Sequence, residues 1–469
     1  MRAKAIATAG DDMDEVLSSV DAYLERNLDN YIAETVRLCA QPSVSASGEG
    51  TAACARLVQT VLEEHGISAQ LLKTPGNPVV VGRLQGRSQR TLLLYNHYDV
   101  QPPEPLELWT SPPFEPQVRE GSLFARGAKD DKGEIVARLA AIDALRAASG
   151  GQLPCSILFV IEGEEEISSP HIAQFVLDNK DMLRSDAAIW EEGGVGRDGQ
   201  AMLVLGPRGI LAVELSVRTL TRDAHSGEGH IMPSAAWRLI WALSSLKGPD
   251  ERVRIRGFYD DAREPSALAL EQMDLEYGKN PAFEQELRAS LGLSSFAGGR
   301  AGKDLLRSVF EPTCNVQGIG SGYQGPGVKT IVPGQATAKV DFRLVPDQDP
   351  EDILQKLREH LVREGFPDIE VKVLGWMRPA LTPLDDAFVQ LTMRTAREVY
   401  GGEPTVRPLG GGSSPEYAFA APLGIPIVTA GCGYWDNRAH APDEHMRIGD
   451  FHEAARHIAR ILHGFAGLA

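Results

Sequence analysis

The chain of 469 residues is longer than one ordinary hydrophobic core supports, so we expect two or three domains. Hydrophobic residues make up 43% and charged residues 24%, which is the balance of a globular chain and excludes a disordered one. The formal net charge of −17 argues against nucleic acid as a partner, because phosphate recognition needs a basic surface.

Neither membrane nor disulfide signals stand out in the sequence. No apolar run approaches the roughly 18 residues that a membrane span needs, and no basic, apolar and small-residue segments of a secretory signal open the chain. We therefore expect a cytosolic protein without a membrane partner. The five cysteines are scattered without C-x-x-C spacing, which favours reduced, buried thiols over a disulfide framework or a thiolate zinc site.

The first hundred residues alternate helical periodicity with short apolar, β-branched runs. This alternation is typical of the start of an α/β domain. The predicted helices span 11–40 and 51–66, and the predicted strands span 69–72, 79–84 and 91–95.

A histidine and an aspartate, His97 and Asp99, directly follow the third predicted strand. A histidine at a strand end is more often structural than a metal ligand. The H-x-D spacing favours the ligand, because a metal-bound imidazole usually donates its other N–H to a carboxylate. Asp99 is placed to accept that hydrogen bond.

Two aspartates open the next predicted helix. After a proline-rich loop, a β run reaches Gly127, and Asp130 and Asp131 precede a helix that continues to about Ala148. Aspartate is a favoured N-cap residue, so for one of the two aspartates helix capping is as good an explanation as a role in the site. The other is then free to point at whatever His97 points at.

The strand predicted at 157–161 ends in a cluster of carboxylates. It is too apolar and β-branched for the surface, so we expect it to be buried on both faces of a parallel sheet. Glu165 and Glu166 follow its C-terminal end, the edge at which ligands bind in open α/β sheets. An isolated acidic turn is usually solvated, but Glu191 follows a further strand, 187–190, in the same way. The predicted helix between these strands makes the crossover expected of parallel pairing.

The pattern changes past Gly209. Residues 211–219 alternate apolar and polar, which predicts a strand with one wet face. We predict that an α+β domain, residues 210–377, interrupts an α/β domain formed by residues 1–209 and 378–469. The remaining predicted helices span 170–179, 234–246, 266–277, 350–363, 385–399 and 449–465, and the remaining predicted strands span 253–257, 336–345, 368–374 and 425–430.

The candidate ligands are nitrogen and oxygen donors without a thiolate, the set expected for a catalytic zinc pair, with manganese or cobalt as alternatives. Clustered carboxylates repel by about 4 kcal/mol per close pair at an effective dielectric of about 20, so cations or protons must fill the site. One glutamate must stay off the metals to carry a proton. We expect Glu165, because alternate residues of a strand face opposite ways and its neighbour can then bind metal. The donor set is His97, Asp130, Glu165, Glu166, Glu191 and His440.

Taken together, these motifs resemble a family of dinuclear zinc metallopeptidases. They are H-x-D, G-x-x-D-D-K-G, E-G-E-E-E, an acidic residue after a strand, and the late histidine of A-H-A-P-D-E. The family includes carnosine and cytosolic non-specific dipeptidases, aminoacylases, acetylornithine deacetylase, glutamate carboxypeptidase and succinyl-diaminopimelate desuccinylase. The resemblance covers nearly the whole chain and is greatest to the dipeptidase branch. It implies an α/β/α catalytic domain with a mainly parallel sheet, interrupted by an inserted α+β lid domain that dimerises.

The resemblance also implies roles for the ligands. Asp130 bridges two zinc ions, His97 and Glu191 complete one site, and Glu166 and His440 complete the other.

Two further features follow from the same resemblance: Glu165 is the general base, and the peptide between Asp130 and Asp131 is cis. We also predict Asp99 as a catalytic residue, because it is placed to be the carboxylate partner of the ligand His97. The acidic ligand Glu191 departs from the aspartate of the nearest dipeptidases.

The inserted domain supplies the implied substrate contacts. A D-x-H-S-G motif contains His225, which in the family polarises the scissile carbonyl in the partner chain's site. Thr330 and Arg343 lie in segments that resemble binders of the substrate carboxylate, and Ser413 lies in a loop that helps them. Each taken singly fits a turn or surface-strand residue as well. Glu416 places a charge in a usually apolar stretch, so substrate preference is not carried over.

We predict a cytoplasmic, homodimeric dinuclear zinc hydrolase of amide bonds in small carboxylate-bearing substrates, most simply a dipeptidase. The nearest alternative is an N-acyl-amino-acid deacylase with the same metals and base. A metal-free binding protein is disfavoured because every ligand position is filled. Phosphoryl transfer is disfavoured because the chain lacks a Gly-rich phosphate loop leading a helix.

Overall fold

A computed structural model describes residues 9–468, and side chains from residue 15 onward. The chain divides into two compact units, each with its own core. A lid and dimerisation role for residues 210–377 stays a prediction. Unit 1 comprises Met1–Leu205, Thr382–Pro408 and Ala418–Ala469, and unit 2 comprises Gly206–Leu381 and Leu409–Tyr417.

Helices and strands alternate along most of the described chain. The helices are α1 Ala9–Cys39, α2 Thr51–Glu64, α3 Lys132–Ala148, α4 Ile172–Asp178, α5 Ala235–Leu246, α6 Ala267–Lys279, α7 Phe283–Leu291, α8 Asp304–Arg307, α9 Pro350–Arg363, α10 Ala387–Tyr400, α11 Tyr417–Leu423 and α12 Ile448–Phe465. The strands are β1 Ser68–Leu72, β2 Val79–Leu84, β3 Thr91–His97, β4 Gln117–Arg119, β5 Ser122–Phe124, β6 Ser156–Glu162, β7 Ala187–Trp190, β8 Gly194–Val195, β9 Ala201–Val204, β10 Gly209–Arg218, β11 Ala224–His225, β12 Thr313–Ser321, β13 Ile331–Val332, β14 Gln335–Leu344, β15 Glu370–Met377, β16 Thr405–Arg407, β17 Ile427–Thr429, β18 Gly433–Tyr434 and β19 His445–Arg447.

The main sheet of unit 1 has six strands in the order β1-β2-β6-β3-β7-β17. Strands β6, β3, β7 and β17 run parallel, whereas β1 and β2 add an antiparallel edge. Every residue of β6 is buried, as expected for a strand covered on both faces. The prediction of an α/β fold with a mainly parallel sheet is confirmed.

Parallel strands end at the same edge of a sheet, and this brings candidate ligands together. His97 is the last residue of β3, and Glu191 directly follows β7. Arg138 of α3 lies beneath both strand ends, where it donates to Asn96 Oδ1 at 2.6 Å and to the Trp190 carbonyl at 2.7 Å. One buried guanidinium therefore holds the two strand ends in register.

Unit 2 is built on a four-stranded antiparallel sheet in the order β12-β14-β10-β15. Burial alternates along β10, as expected for a sheet with one covered face, and α5 and α9 pack on it. The strand predicted at 253–257 is wrong, because only an isolated bridge at Val253 forms there before the chain turns. Strand β12 was not predicted, because its glycines and polar residues lack a strand signature.

Two predictions from composition concern the chain as a whole. Each of the five cysteines is buried as a free thiol, as predicted. Among residues 9–468, no helix has the length and apolar character that a membrane span needs.

Candidate metal centre

His97 lies at the centre of a buried group of carboxylates in unit 1. Its Nε2 atom is 3.0 Å from Asp130 Oδ1 and 3.7 Å from Glu191 Oε2. Its Nδ1 atom is 3.0 Å from the backbone carbonyl of Asp99, whereas the Asp99 carboxylate is 3.5 Å away. The backbone of Asp99 therefore orients the ring more directly than the predicted carboxylate.

The carboxylate of Asp99 instead positions the turn that carries the two glutamates. Its oxygens accept the backbone N–H groups of Glu165 at 3.2 Å and Glu166 at 3.1 Å. Asp99 is fully buried, so these bonds are shielded from water. The end of β3 and the glutamate turn are thereby joined.

Asp130 lies between two histidines. Its Oδ1 atom faces His97, and its Oδ2 atom is 3.0 Å from His440 Nε2. The same His440 nitrogen is 3.1 Å from Glu166 Oε2. One aspartate thus has a histidine and a further carboxylate on each side.

The peptide between Asp130 and Asp131 is cis, as the family resemblance implies. Asp131 stands at the N-cap position of α3, but its side chain does not cap the helix. Its Oδ2 atom accepts from Asn96 Nδ2 at 2.6 Å and from the backbone N–H of His97 at 3.0 Å. The capping alternative is therefore wrong for Asp131, whose carboxylate fixes the end of β3.

Glu165 and Glu166 diverge for a reason that differs from the predicted one. Strand β6 ends at Glu162, and the two glutamates begin a short 3₁₀ turn. Successive side chains of such a turn, with three residues per turn, point about 120° apart. The strand-alternation argument is wrong, although the side chains still separate. Gln101 holds the Glu166 carboxylate through its backbone N–H at 3.1 Å and its Nε2 at 2.8 Å.

Burial raises the pKa of two carboxyl groups in this centre. The pKa of Glu165 is well above its usual value because of burial, which the positive charge of His97 opposes and the negative charge of Glu166 reinforces. Burial likewise raises the pKa of Glu191, again against the effect of His97. Without a cation, both groups favour the protonated form.

The histidines show the opposite response. Burial alone would lower the pKa of His97, but Glu191 and Asp130 raise it well above the usual value. Hydrogen bonds to Asp130 and Glu166 raise the pKa of His440 to about 10. Burial alone would raise the pKa of Asp130, but Lys129 and the two imidazolium groups lower it well below the usual range. The clustered carboxylates thus favour positive charge at the centre.

The donor set fits a metal ion. His97, Glu165 and Glu191 place one donor atom each within 4.8 Å of one another, and so do His97, Asp130 and Glu166. Glu191 Oε2 is buried and has no hydrogen-bond partner among the described residues. A buried carboxylate oxygen without a donor is costly unless a cation meets it. The cluster is therefore suited to bind metal.

In unit 2, two of the predicted substrate residues lie together on an exposed ribbon. Strand β11 pairs with β13, and the backbone N–H of Ser226 donates to the Thr330 carbonyl at 3.0 Å. His225 Nδ1 accepts the backbone N–H of Gly227 at 2.9 Å. The turn-capping alternative for His225 is thus present, and it places the proton of the neutral ring on Nε2.

The other two predicted substrate residues form a second pair. Arg343 Nη1 donates to Ser413 Oγ at 2.8 Å. Arg208 lies behind this pair and donates to the backbone carbonyl of Arg343 at 3.3 Å. Glu416 is buried in the same unit.

Several supporting residues escaped prediction. Gln101 lies in the proline-rich loop, where nothing in the sequence distinguishes it. Glu444 lies inside the A-H-A-P-D-E motif, four residues after His440. Its place in the same motif as a predicted ligand was the one feature of the sequence that could have indicated a supporting role.

Comparison with known proteins agrees with this geometry. Residues 93–464 match the family described as Peptidase family M20/M25/M40. The chain is 24% identical to the Cys-Gly metallodipeptidase dug1 of Schizosaccharomyces pombe, over 95% of this chain and 98% of that protein. It is 26% identical to the human Beta-Ala-His dipeptidase, over 82% of this chain and 77% of that protein.

A solved structure is also similar. The M20 family metallo-carboxypeptidase Sso-CP2 from Sulfolobus solfataricus superposes with a TM-score of 0.87 and 36% identity, over 93% of this chain and 99% of that one. The chain therefore belongs to peptidase family M20/M25/M40 and is a metallohydrolase.

Proposed function

We propose that the protein hydrolyses dipeptides at a dinuclear metal centre in unit 1. The observation that carries this proposal is the position of Asp130, with its two oxygens 3.0 Å from His97 and 3.0 Å from His440. His97 and Glu191 complete the donor set on one side. Glu166 completes it on the other.

Zinc suits these donors best, with manganese and cobalt as alternatives. Bound divalent ions polarise the scissile carbonyl and lower the pKa of an attacking water. The protein's own contribution is to hold the donors at fixed positions through the buried carboxylates of Asp99 and Asp131, on a site whose His97 and Glu191 side is buried and whose His440 side is open to solvent.

Glu165 is proposed as the general base. Its carboxylate lies within 4.8 Å of donor atoms of His97 and Glu191, and the proposed metal ligands are the other five donors. Burial raises the pKa of its carboxyl group above the usual value, the direction that favours proton uptake by a general base. Glu165 then takes the proton from the attacking water and delivers it to the leaving amine.

A dipeptide substrate is supported by two observations. Relatives that match most of this chain are named as Cys-Gly and Beta-Ala-His dipeptidases. The Arg343 guanidinium, held by Ser413, matches the geometry of a terminal carboxylate. We propose that this pair binds the free carboxylate of the substrate.

The similarity to Sso-CP2 favours a second candidate, a carboxypeptidase, because its 36% identity exceeds that of the dipeptidases. A carboxypeptidase accepts peptides whose N-terminus is blocked, whereas a dipeptidase requires a free amine close to the scissile bond.

A substrate panel separates these activities. Free dipeptides, N-acetylated dipeptides and N-acetyl amino acids are assayed with added zinc or manganese. Preferential cleavage of free dipeptides supports the proposal. Preference for N-acetylated dipeptides indicates a carboxypeptidase, and preference for N-acetyl amino acids indicates a deacylase.

We also propose that the protein is a homodimer in which His225 acts in the partner's site. The ribbon with His225 and Thr330 emerges next to Gln335, at the first residue of β14. Arg343 lies eight residues further along the same strand, roughly 26 Å away for an extended chain. In a dipeptide, only a nitrogen and an α-carbon separate the scissile carbonyl from the carboxylate. His225 and Arg343 of one chain are thus too far apart to contact the scissile carbonyl and the carboxylate of one dipeptide. This separation supports a site in which His225 comes from one chain and Arg343 from the other.

An exposed apolar surface in unit 2 supports the dimer. Trp237, Ile240 and Trp241 are exposed on one face of α5, with Trp237 57% exposed. Strand β12 forms an unpaired edge of the sheet, with Ile319 56% exposed. An apolar face beside an open strand edge is typical of an interface with a second copy.

We further propose a cytoplasmic location. The five buried, free cysteines suit a reducing compartment.

A further inference from the structure

Two loops distant in sequence supply ligands from either side of the metal centre. One carries Asp130 and the other carries His440, and they meet because β19 pairs with β5. Neither loop is regular where the ligands lie. Their backbones therefore need other partners to hold a fixed geometry.

Glu444 joins the second loop to the first. It is fully buried, and its Oε1 atom accepts the backbone N–H groups of Lys129 and Asp130, both at 3.0 Å. Its Oε2 atom accepts the backbone N–H of Gly127 at 3.0 Å and Arg126 Nη1 at 2.7 Å. Both oxygens of the Glu444 carboxylate thus accept hydrogen bonds from the segment that carries Asp130.

Glu134 makes the reciprocal connection. It lies in the first turn of α3, four residues after Asp130, and is fully buried. Its Oε1 atom accepts the backbone N–H of Cys432 at 2.9 Å, in the segment that leads to His440. Each of the two ligands is therefore followed, four residues later, by a carboxylate that accepts backbone N–H groups from the other segment: Glu444 from the Asp130 loop, and Glu134 from Cys432, eight residues before His440.

We propose that Glu444 and Glu134 are positioning residues, which form a reciprocal carboxylate clasp that fixes the Asp130 and His440 loops relative to each other before metal binds. The proposal rests on the metal-dependent function proposed above. The clasp connects the shared ligand to a terminal ligand of one ion, so it sets the distance between them.

The charge of Glu444 is essential to this arrangement. Hydrogen bonds from N–H groups to an ionised acceptor are roughly twice as strong as neutral ones. A glutamine has one acceptor oxygen, and its NH₂ group faces N–H donors whichever way the amide is turned. The change Glu444→Gln therefore preserves the shape of the side chain, but its NH₂ group then faces two N–H donors that lose their acceptor.

The test compares Glu444→Gln and Glu134→Met with a control, Glu162→Gln. Glu162 is also a buried carboxylate of unit 1, but it accepts from the side chains of Tyr95 and Ser169 and touches neither loop through its carboxylate. Amide hydrogen exchange is measured in the metal-free proteins. Zinc dissociation constants are measured by chelator competition.

For Glu444→Gln we expect faster exchange at the amides of Gly127, Lys129 and Asp130, and zinc binding weakened at least about 10-fold. Excess zinc should restore most of kcat. Glu134→Met, which removes the acceptor of the Cys432 N–H at similar side-chain length, should speed exchange at Cys432. Glu162→Gln should leave all four amides and the zinc affinity as in the wild type.

Unchanged exchange and unchanged zinc affinity in Glu444→Gln would overturn the clasp. Equal losses in Glu162→Gln would also overturn it, since any buried carboxylate would then suffice. If Glu444→Gln does not fold, Glu134→Met carries the same test, because it removes the acceptor of the Cys432 N–H and leaves the pair of Arg126 and Glu444 intact. Hydrogen exchange is measured without metal, so it tests the clasp independently of zinc binding. Failure of the wild type to bind zinc would contradict the proposed function and not the clasp.

Discussion

The metal centre of unit 1 and the ribbon of unit 2 differ in how firmly their side chains are held and in how exposed they are. Around the centre, Asp99 and Asp131 are buried carboxylates that bind the backbone of neighbouring ligand segments. His225, in contrast, is exposed and is held mainly by one local hydrogen bond. A site that must resist charge repulsion is built rigidly within one chain. The contact proposed for His225 would form only on assembly with a partner and substrate, so this residue can remain on the surface.

The largest effect is expected for Asp130→Ala, which tests whether the rigid centre depends on one shared ligand. This change removes a donor from both sides, so zinc binding should weaken more than about 100-fold, the upper range for residues that only support ligands. Chelator competition measures the constants. His440→Ala is the control, and it should weaken binding of one ion only. Tight binding of two ions by Asp130→Ala would show that the aspartate is not shared.

The next effect separates catalysis from metal binding within the same centre. Glu165→Gln should retain both ions and lose at least about 100-fold in kcat, because the general base is removed while the donors remain. Metal content and steady-state kinetics are measured on the same preparation. Near-normal turnover would exclude Glu165 as the base.

A mixing experiment tests the surface contact of unit 2. His225→Ala should reduce kcat by about 100-fold or more, as expected when a donor to the developing oxyanion is lost. Glu165→Gln is similarly impaired. If the two variants are refolded together, each heterodimer has one site with an intact glutamate and an intact partner histidine. Activity should recover to roughly a quarter of the wild type under random pairing of a two-fold dimer.

Refolding each variant alone is the control for this recovery. If His225 acts within its own chain, every heterodimer site lacks one of the two residues. No recovery would then be observed.

The smallest effect concerns a histidine of unit 1 outside the metal centre. His65 lies between Asp143 at 2.5 Å and Glu34 at 2.8 Å, and joins α1, α2 and α3. Burial alone would lower its pKa, but these carboxylates raise it to about 10. A raised histidine pKa stabilises the fold fully below the unfolded value of about 6.5, and this contribution is lost as pH rises through about 10.

His65→Gln should therefore lower the free energy of unfolding by roughly 2 kcal/mol at pH 6, a value reduced by partial exposure of the pair. The difference from the wild type should shrink toward pH 10, while zinc affinity stays unchanged. Urea titrations across this pH range measure it. A difference that is constant with pH would mean that packing, not charge, accounts for the effect.

The sequence predicted those features that depend on strand ends. His97 and Glu191 follow apolar strands, and parallel pairing brings such ends to one edge, so their proximity follows from pattern alone. Asp130 and His440 lie in loops. Their residue types placed them in the predicted donor set, but only the family resemblance assigned Asp130 the shared position and His440 its place beside Glu166.

What the sequence could not predict depends on distant partners. The separation of Glu165 from Glu166 arises from a 3₁₀ turn that no periodicity marks. The positioning role proposed for Glu444 depends on backbone N–H groups that are 314 or more residues away in the sequence. A local sequence pattern around Glu444 cannot indicate such distant partners. Asp131 stands where a helix cap is expected, yet its carboxylate bonds to β3.

The central claim is that one chain of this protein builds a complete centre for two metal ions. Calorimetric titration of the metal-free wild type with zinc, in two buffers of different protonation enthalpy, measures both stoichiometry and proton release. We expect two ions per chain, release of protons because the imidazole donors must become neutral, and a higher melting temperature at saturation. Saturation at one ion per chain, or binding without proton release, would contradict the account.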